Sequence, residues 1–368
     1  MTQRFCNPVA THFGPGSLEE LPGIVSGAKV AVVTFPEARS LGLLKKLEDL
    51  LGKQLVCVIE NVHPNPDVSQ LAEMYNRFWR DEHACDTVVA LGGGSAIDTA
   101  KALMVGTEGG SFDELLALLA DGKPFTPSRV KTLIAIPTTA GTGSEVTPWA
   151  TIWDAAKKKK YSLHLDCTWP KAAIVDPDLM LTLPRAMTVS TGLDALSHAL
   201  ESIWNVNANP ISDTLAIGAI QEIMACLPLL AKELDNKTLR SSMALAAMKA
   251  GLAFSNTKTA LAHSISYEMT LRYGLPHGIA CSFTLPLVLG MAWGELPDRD
   301  AALQRAFNAD RNTAVDRLRA FLHQLEVGTE FSDYGVSGKE AQEMVQHAMQ
   351  GARGKNFIGA KAAGCGHG

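Results

Sequence analysis

The sequence predicts a chain in two structural parts, an α/β amino-terminal half and an all-α carboxyl-terminal half. Three observations carry this prediction. Up to about residue 180, short β-branched runs alternate with amphipathic stretches of helical period. Two of those runs end in turns made of glycine or threonine, the composition expected where a parallel sheet meets a ligand. From Leu183 on, apolar residues recur only at helical spacing, in long segments. The boundary therefore falls near Leu183–Pro184, giving parts of residues 1–183 and 184–368.

Each element has its own signal. Ser17 to Glu20 has the S-x-x-E form of a capping box and starts a short helix, and Lys29–Phe35 is a buried β-branched strand. Residues 40–51 read as a helix and Gln54–Asn61 as a strand. Asp67–His83 is an amphipathic helix with Leu71, Met74, Tyr75 and Phe78 on its apolar face, and Thr87–Leu91 is the next strand. A helix opening at Ser95 runs through Lys101, and Thr132–Ile136 is a strand. Ala150–Trp153 and Lys160–His164 pair as a hairpin, and Ala172–Asp176 is the last strand, stopped by Pro177. Beyond Pro184 the helical segments are 185–204, 212–231, 236–254, 258–272 and 278–292, with more after 297; the Gly- and Ala-rich tail beyond Ala360 is expected to be mobile.

Composition excludes several function classes. The 368 residues suffice for two cores, with 46 % hydrophobic and 19 % charged residues. A formal net charge of −5, with one short basic run from Lys157 to Lys160, gives no electrostatic case for nucleic acid as a partner. Seven cysteines (Cys6, Cys57, Cys85, Cys167, Cys226, Cys281, Cys365) stand without CxxC pairs, which favours reduced thiols over a disulfide framework or a cysteine zinc site. The first residues lack the apolar core of a signal peptide and no apolar run looks long enough to span a bilayer, so no membrane partner and a cytoplasmic location are expected.

The turn after the strand Thr87–Leu91 is the first candidate site. Gly92, Gly93 and Gly94 permit a tight turn and close approach of a ligand, and Ser95 opens a helix whose free N–H groups suit a phosphate. A plain glycine turn with a Ser95–Asp98 capping box accounts for the same residues. After Ile136, Thr138, Thr139, Thr142 and Ser144 supply hydroxyls suited to the sugar and phosphates of a nucleotide, or to bonds with the local backbone.

The second candidate site is helical. Asp194 and His198, in Gly-Leu-Asp-Ala-Leu-Ser-His-Ala, project from one helix face a turn apart, as metal ligands or as a surface contact. His263, in Ala-Leu-Ala-His-Ser-Ile-Ser-Tyr, and His277, in Leu-Pro-His-Gly, add two imidazoles in the same apolar half. One carboxylate and three imidazoles suit Fe²⁺, Zn²⁺, Co²⁺ or Ni²⁺ rather than Ca²⁺ or Mg²⁺. By contrast His12, His63, His83, His323 and His347 read as ordinary core or rim residues.

Together, Leu-Gly-Gly-Gly-Ser-Ala-Ile-Asp-Thr-Ala-Lys at 91–101, Pro-Thr-Thr-Ala-Gly-Thr-Gly-Ser-Glu at 137–145, the Asp194–His198 segment and the His263-to-His277 spacing resemble the iron-containing (group III) alcohol dehydrogenase family. The resemblance implies a Rossmann-like domain followed by a helical metal-binding and catalytic domain, the dehydroquinate synthase-like architecture. It also implies NAD or NADP held by Gly93, Gly94, Ser95, Asp98, Thr138, Thr139 and Ser144, and Lys160 matches a family lysine near the cofactor. By the same resemblance, Asp194, His198, His263 and His277 hold a metal, with Fe²⁺ favoured because it readily expands its coordination to admit a substrate oxygen. A small alcohol or aldehyde would be the substrate, and a homodimer is the expected assembly.

Two positions depart from the family pattern. Thr34 is followed by Phe35 and Pro36 where many members carry a ribose-binding acid, which leaves NAD against NADP open, with Glu37 and Arg39 nearby. Tyr267 replaces a common histidine, so a proton relay would use Tyr267, His164 or water. The run from Asn256 to Tyr267 resembles a branch tied to phosphonate metabolism, which points to phosphonoacetaldehyde, with Lys258 or Arg272 to hold its dianion. The competing readings are a glycerol dehydrogenase-like or dehydroquinate synthase-like enzyme and a nucleotide-binding protein without catalysis.

Overall fold

The computed structural model describes residues 4–80 and 85–360. The predicted end of the helix at His83, Cys365 and the tail beyond Ala360 lie outside the described residues. The chain divides into two compact units: residues 8–139 with 144–182, and residues 1–7, 140–143 and 183–368.

In the first unit the strands are β1 (Ala10–Phe13), β2 (Val30–Thr34), β3 (Leu55–Ile59), β4 (Thr87–Gly92), β5 (Val105–Gly106), β6 (Arg129–Val130), β7 (Thr132–Pro137), β8 (Trp149–Asp154), β9 (Lys159–His164) and β10 (Ala172–Val175). Its helices are α1 (Leu21–Ile24), α2 (Leu43–Leu51), α3 (Val68–Arg80), α4 (Gly94–Met104) and α5 (Phe112–Asp121). Six strands form one parallel sheet in the order β1-β10-β7-β4-β2-β3. Both of its faces are covered, which is why β2 and β4 read as continuous apolar runs. The alternation of the pleat sorts their residues. Val30, Val32, Val89, Leu91, Ile134 and Ile136 pack with Leu43, Leu44 and Leu47 of α2, whereas Ala31, Val33, Val88, Ala90, Leu133 and Ala135 pack with α3, α4 and α5.

Strands β8 and β9 form the antiparallel hairpin that the sequence predicts, in register from Trp149↔His164 to Asp154↔Lys159. Neither predicted capping box forms. Ser17 lies inside a 3-10 helix, and the donors at its start, the N–H groups of Gly16 and Leu18, go instead to the carboxylate of Asp176 at 3.2 and 3.1 Å. The N-cap of α4 is Gly93, and the Ser95 hydroxyl accepts from the Asn65 N–H at 3.1 Å.

The second unit contains α6 (Arg185–Ile203), α7 (Pro210–Leu230), α8 (Lys237–Thr257), α9 (Leu261–Tyr273), α10 (His277–Ala280), α11 (Leu285–Ala292), α12 (Pro297–Phe307), α13 (Arg311–Gln324) and α14 (Gly338–Gln350). Helices α6, α7 and α8 pack on one another and bury an almost continuous stretch of α6 from Gly192 to Ile203. The expectation of no bilayer-length apolar segment needs correction at α7, whose 21 residues are long and apolar enough to cross a membrane by length and composition. Half of that apolar stretch is buried, and α7 packs against α6, α8 and α12. The predicted helix 278–292 is two helices, because Pro286 lacks the N–H needed to continue a helix through it and sits in the first turn of α11.

Candidate metal and nucleotide sites

Helix α6 presents Asp194, His198 and Glu201 at i, i+4 and i+7, one face of a buried helix. Asp194 Oδ1 is the hub. It lies 3.7 Å from His198 Nε2, 3.3 Å from His263 Nε2 near the start of α9, and 3.8 Å from His277 Nε2 at the first residue of α10. Bonds of about 2.1 Å place neighbouring ligand atoms about 3.0 Å apart at right angles and about 3.4 Å apart in a tetrahedron, so His263 stands at a ligand's separation and His198 and His277 a few tenths of an ångström wider. His263 Nε2 is buried and faces the Asp194 carboxylate at 3.3 Å without the geometry of a formed hydrogen bond.

The other ring nitrogens are anchored. His263 Nδ1 faces Glu201 Oε2 at 2.8 Å, and the same carboxylate accepts from the Ala260 and His263 N–H groups at 2.7 and 3.1 Å. Glu201 thereby caps α9 and fixes the tautomer that turns Nε2 of His263 toward Asp194. His198 Nδ1 faces the Gly141 carbonyl at 3.3 Å, and its ring stacks between Phe254 and His263. Gly141 admits no side chain, because a Cβ would stand 2.3 Å from the Thr191 carbonyl. Gly278, beside His277, is equally constrained, at 1.8 Å from the Ser190 carbonyl.

Charge follows this geometry. Burial opposes ionisation of Asp194, but the imidazoles of His198, His263 and His277 hold its carboxyl well below the usual range. Burial brings the His198 pKa down to about 4, so that ring is neutral. His263 is penalised by burial as well, yet Glu201 and Asp194 raise it to about 9. The centre is thus an ionised carboxylate among imidazoles, with Asp194, His198 and His263 buried and His277 partly open to solvent. Cys281, one turn after His277, completes a cluster with Asp194, His263 and His277 whose ligand atoms all lie within 4.8 Å of one another.

Tyr267 follows His263 by one turn and is half-buried with its hydroxyl enclosed, and burial lifts its phenol to about 12. That makes it an unsuitable base near neutral pH. The Arg353 guanidinium lies over its ring at 4.9 Å and donates to Thr259 Oγ1 at 3.3 Å. The two cations singled out in the sequence differ in setting. Arg272 is bound to Glu268 and Glu340, whereas Lys258 is exposed, with a left-handed φ of 68° after α8.

In the α/β unit, pairing of Leu91 with Ile136 and Gly92 with Pro137 sets the glycine turn and the threonine loop side by side at the carboxyl ends of β4 and β7. Thr138 N–H donates to the Gly92 carbonyl at 3.0 Å, and a Cβ on Gly93 would touch Thr139 at 3.2 Å. Gly92 has φ 153° and a Cβ there would meet Ala96 at 2.6 Å, so the first turn of α4 depends on it; Gly94 is that helix's first residue. Asp98 turns inward: its oxygens accept from the Ser144 hydroxyl at 2.6 Å and the Thr151 N–H at 2.9 Å. Behind it Lys101, fully buried, donates to the Ser144 carbonyl, the Ser144 hydroxyl and the Trp149 carbonyl at 2.7, 2.9 and 2.7 Å. Burial lowers Lys101 to about 8, raises the nearby Glu145 to about 7 and raises Asp98. Lys160 lies on β9 with its ammonium 3.6 Å over the Trp153 ring, and Thr142 falls in the segment that packs with the helical unit.

Glu201, Cys281, Lys101 and Arg353 escaped the sequence reading. Glu201 carried a legible signal, an acidic residue seven positions after Asp194 on the same helix face.

A parallel sheet with a glycine turn at its edge, and a helical unit with a carboxylate among three imidazoles, define a two-unit protein built for a nucleotide and a divalent cation. Comparison with known proteins is specific. Residues 8–177 match the model of iron-containing alcohol dehydrogenase, and residues 188–363 match that of the Fe-containing alcohol dehydrogenase family, C-terminal. The chain is 32 % identical over 363 residues to the NAD-dependent methanol dehydrogenase of Bacillus methanolicus, covering 94 % of this chain and 93 % of that protein. It is 32 % identical to alcohol dehydrogenase 4 of Schizosaccharomyces pombe, covering 95 % and 84 %. Among solved structures, the sulfoacetaldehyde reductase of Bifidobacterium kashiwanohense in complex with NAD+ superposes with a TM-score of 0.89 at 29 % identity, over 97 % of this chain and 95 % of that one. The chain belongs to the iron-containing alcohol dehydrogenase family, and it is an oxidoreductase acting on alcohols or aldehydes.

Proposed function

We propose that this chain interconverts a small alcohol and its aldehyde with NAD(H), using a divalent metal held by Asp194, His198, His263 and His277. The convergence of three Nε2 atoms to within 3.3–3.8 Å of one carboxylate oxygen is the observation that carries this reading. A bound divalent cation supplies Lewis-acid polarisation of the substrate's oxygen, and a bound nicotinamide supplies or accepts the hydride. The protein's own residues do the rest. Glu201 and the Gly141 carbonyl hold two imidazoles with Nε2 toward Asp194. Gly92 to Ser95 with Thr138 and Thr139 form the proposed nucleotide cradle, while Asp98, Ser144 and Lys101 brace it from below. With Tyr267 at about 12, proton exchange at neutral pH falls to His164 or water rather than to that phenol. Iron is the proposed metal, on the strength of the family, and NAD rather than NADP is favoured because Arg39, beside the end of β2, is bound by Glu48 and Glu60 at 3.1 Å each and is not free for a 2′-phosphate.

For the substrate we infer a short aldehyde carrying an acidic group, phosphonoacetaldehyde being the proposed example. The relative of known structure named for sulfoacetaldehyde reduction supports that class. So does Arg353, whose guanidinium has no carboxylate partner among the described residues and sits over Tyr267, next in turn to His263. Arg272, held by two carboxylates, is the poorer choice. The test is direct: Asp194→Ala and His277→Ala should lose bound metal and turnover yet still bind NADH, and full activity of either in chelator-treated buffer would falsify the metal role. Phosphonoacetaldehyde, sulfoacetaldehyde and neutral acetaldehyde, each with NADH and NADPH, then separate the substrate classes.

A further inference from the structure

The link between α8 and α9 holds a strained residue whose side chain the fold does not use. Lys258 has φ 68° and ψ 173°, a pair that glycine alone adopts without strain. Asn308, also at positive φ, lies instead at 46° and 48°, the left-handed helical region that asparagine tolerates. Neighbouring groups hold the strained conformation in place. The Lys258 carbonyl accepts from Asn205 Nδ2 at 3.1 Å and from the Thr257 hydroxyl at 3.2 Å, and the Thr257 carbonyl accepts from Asn207 Nδ2 at 3.1 Å. On the other side, the Thr259 carbonyl accepts from Asn356 Nδ2 at 2.8 Å and the Ala260 N–H donates to Glu201 at 2.7 Å. None of these bonds uses the Lys258 side chain, so a glycine at 258 would keep every one. What lysine adds is an ammonium group, on an exposed residue and without a carboxylate partner among the described residues.

A second cation is joined to this link. Thr259 is buried, and its hydroxyl accepts from the Arg353 guanidinium at 3.3 Å; Arg353 in turn lies over Tyr267, one turn beyond His263. Lys258 and Arg353 are thus connected through Thr259, four residues before a proposed metal ligand. We propose that Lys258 is a specificity-determining residue whose ammonium, together with the Arg353 guanidinium, takes the acidic group of the aldehyde substrate. This rests on the acidic-aldehyde reading above and adds a second cation to it. A sulfonate or phosphonate presents three oxygens, enough for a guanidinium and an ammonium at once. The two side chains divide the work. Half-buried Arg353 offers a directional fork, whereas exposed Lys258 is a point charge on a flexible stem and acts through its field.

Three variants of the full-length, metal-loaded enzyme test this. Lys258→Met keeps the strained backbone and removes the charge, Lys258→Arg keeps both, and Lys258→Gly removes both. The readouts are Tm and the ratio of kcat/KM for sulfoacetaldehyde to kcat/KM for acetaldehyde, each with NADH. Lys258→Met should lower that ratio by at least about fivefold, the effect of one unit charge about 4 Å from the anion even in water, and Lys258→Arg should restore most of it. The loss should fall on KM for the acidic aldehyde and shrink at high salt. Lys258→Gly should match Lys258→Met in the ratio and exceed it in Tm, because relief of the strain outweighs glycine's extra freedom in the unfolded chain. A ratio within twofold of the wild type in Lys258→Met would overturn the proposal. So would a Lys258→Gly variant no more stable than Lys258→Met, since no strain would then need a functional side chain to offset it. Arg353→Gln separates the two levels: if it lowers the ratio while Lys258→Met does not, the acidic-substrate reading stands and Lys258 is excluded. A wild-type enzyme with no preference for sulfoacetaldehyde over acetaldehyde would remove both together.

Discussion

Replacing Glu201 with Gln isolates the part of the proposed metal centre that supplies no ligand. The carboxylate is completely buried and takes three donors: Oε2 accepts from Ala260 N–H and faces His263 Nδ1, and Oε1 accepts from His263 N–H. A glutamine of the same shape can keep its carbonyl oxygen at the Oε2 position, turning two charge-assisted bonds into neutral ones. Its amide would then face the His263 N–H, donor against donor. Weakening two bonds by about 1 kcal/mol each and losing a third worth about 1–2 kcal/mol predicts a drop in folding stability of about 3–4 kcal/mol. The change also weakens the hold on the His263 ring, and disturbing such an orienting partner costs about 10–100-fold in metal affinity, or about 1.4–2.7 kcal/mol. Urea unfolding of the metal-free protein reads the first quantity, and competition with a chromophoric chelator reads the second. If Glu201→Gln bound metal within about twofold of the wild type while His263→Ala did not bind it, the orienting role assigned to this carboxylate would be wrong.

The remaining predictions concern protons and the α/β unit. His263 rises to about 9 in the metal-free protein, against burial, because Glu201 and Asp194 face it; a metal must therefore displace its proton. The raised pKa fixes the sign: apparent metal affinity should climb about tenfold per pH unit below pH 9 and level off above it, as chelator competition from pH 6 to 10 would record. A flat profile over that range would contradict the protonated ring. Lys101→Met would leave the Ser144 and Trp149 carbonyls without their donor and Asp98 and Glu145 without their buried cation. Chemical denaturation should show a loss of about 3–5 kcal/mol, the cost of stranding a buried charge, and a result near zero would mean that the loops hold themselves.

Much of the α/β unit was legible because parallel strands buried on both faces leave unbroken apolar runs, as in β2, β4 and β7. Strand β1 was not, since Ala-Thr-His-Phe lies at the sheet's edge and is largely exposed, so burial imposes no pattern on it. Helix α5 carries a local signal that apolar strand runs do not reveal, Ser111 accepting from the Asp113 N–H. The capping signals at Ser17 and Ser95 misled for a different reason: glycines at positions 16 and 93 take the cap, and the serines fall one or two residues inside. At the metal centre, spacing along α6 exposed Asp194 and His198, but no local pattern tells that Cys281 turns toward them from beyond α10. Arg353 was hidden for the same reason, being joined to α9 only through tertiary packing.

The short passage from Ala140 to Gly143 carries a consequence for how this polypeptide can be dissected. It leaves the sheet unit after Thr139, is counted with the helices, and rejoins its own unit at Ser144, having delivered the Gly141 carbonyl to His198. A gene fragment starting at Leu183 would encode every proposed metal ligand and still lack the oxygen that steadies one of them. The two halves are therefore not interchangeable modules. Shuffling experiments between relatives should move this tetrapeptide together with the carboxyl-terminal partner.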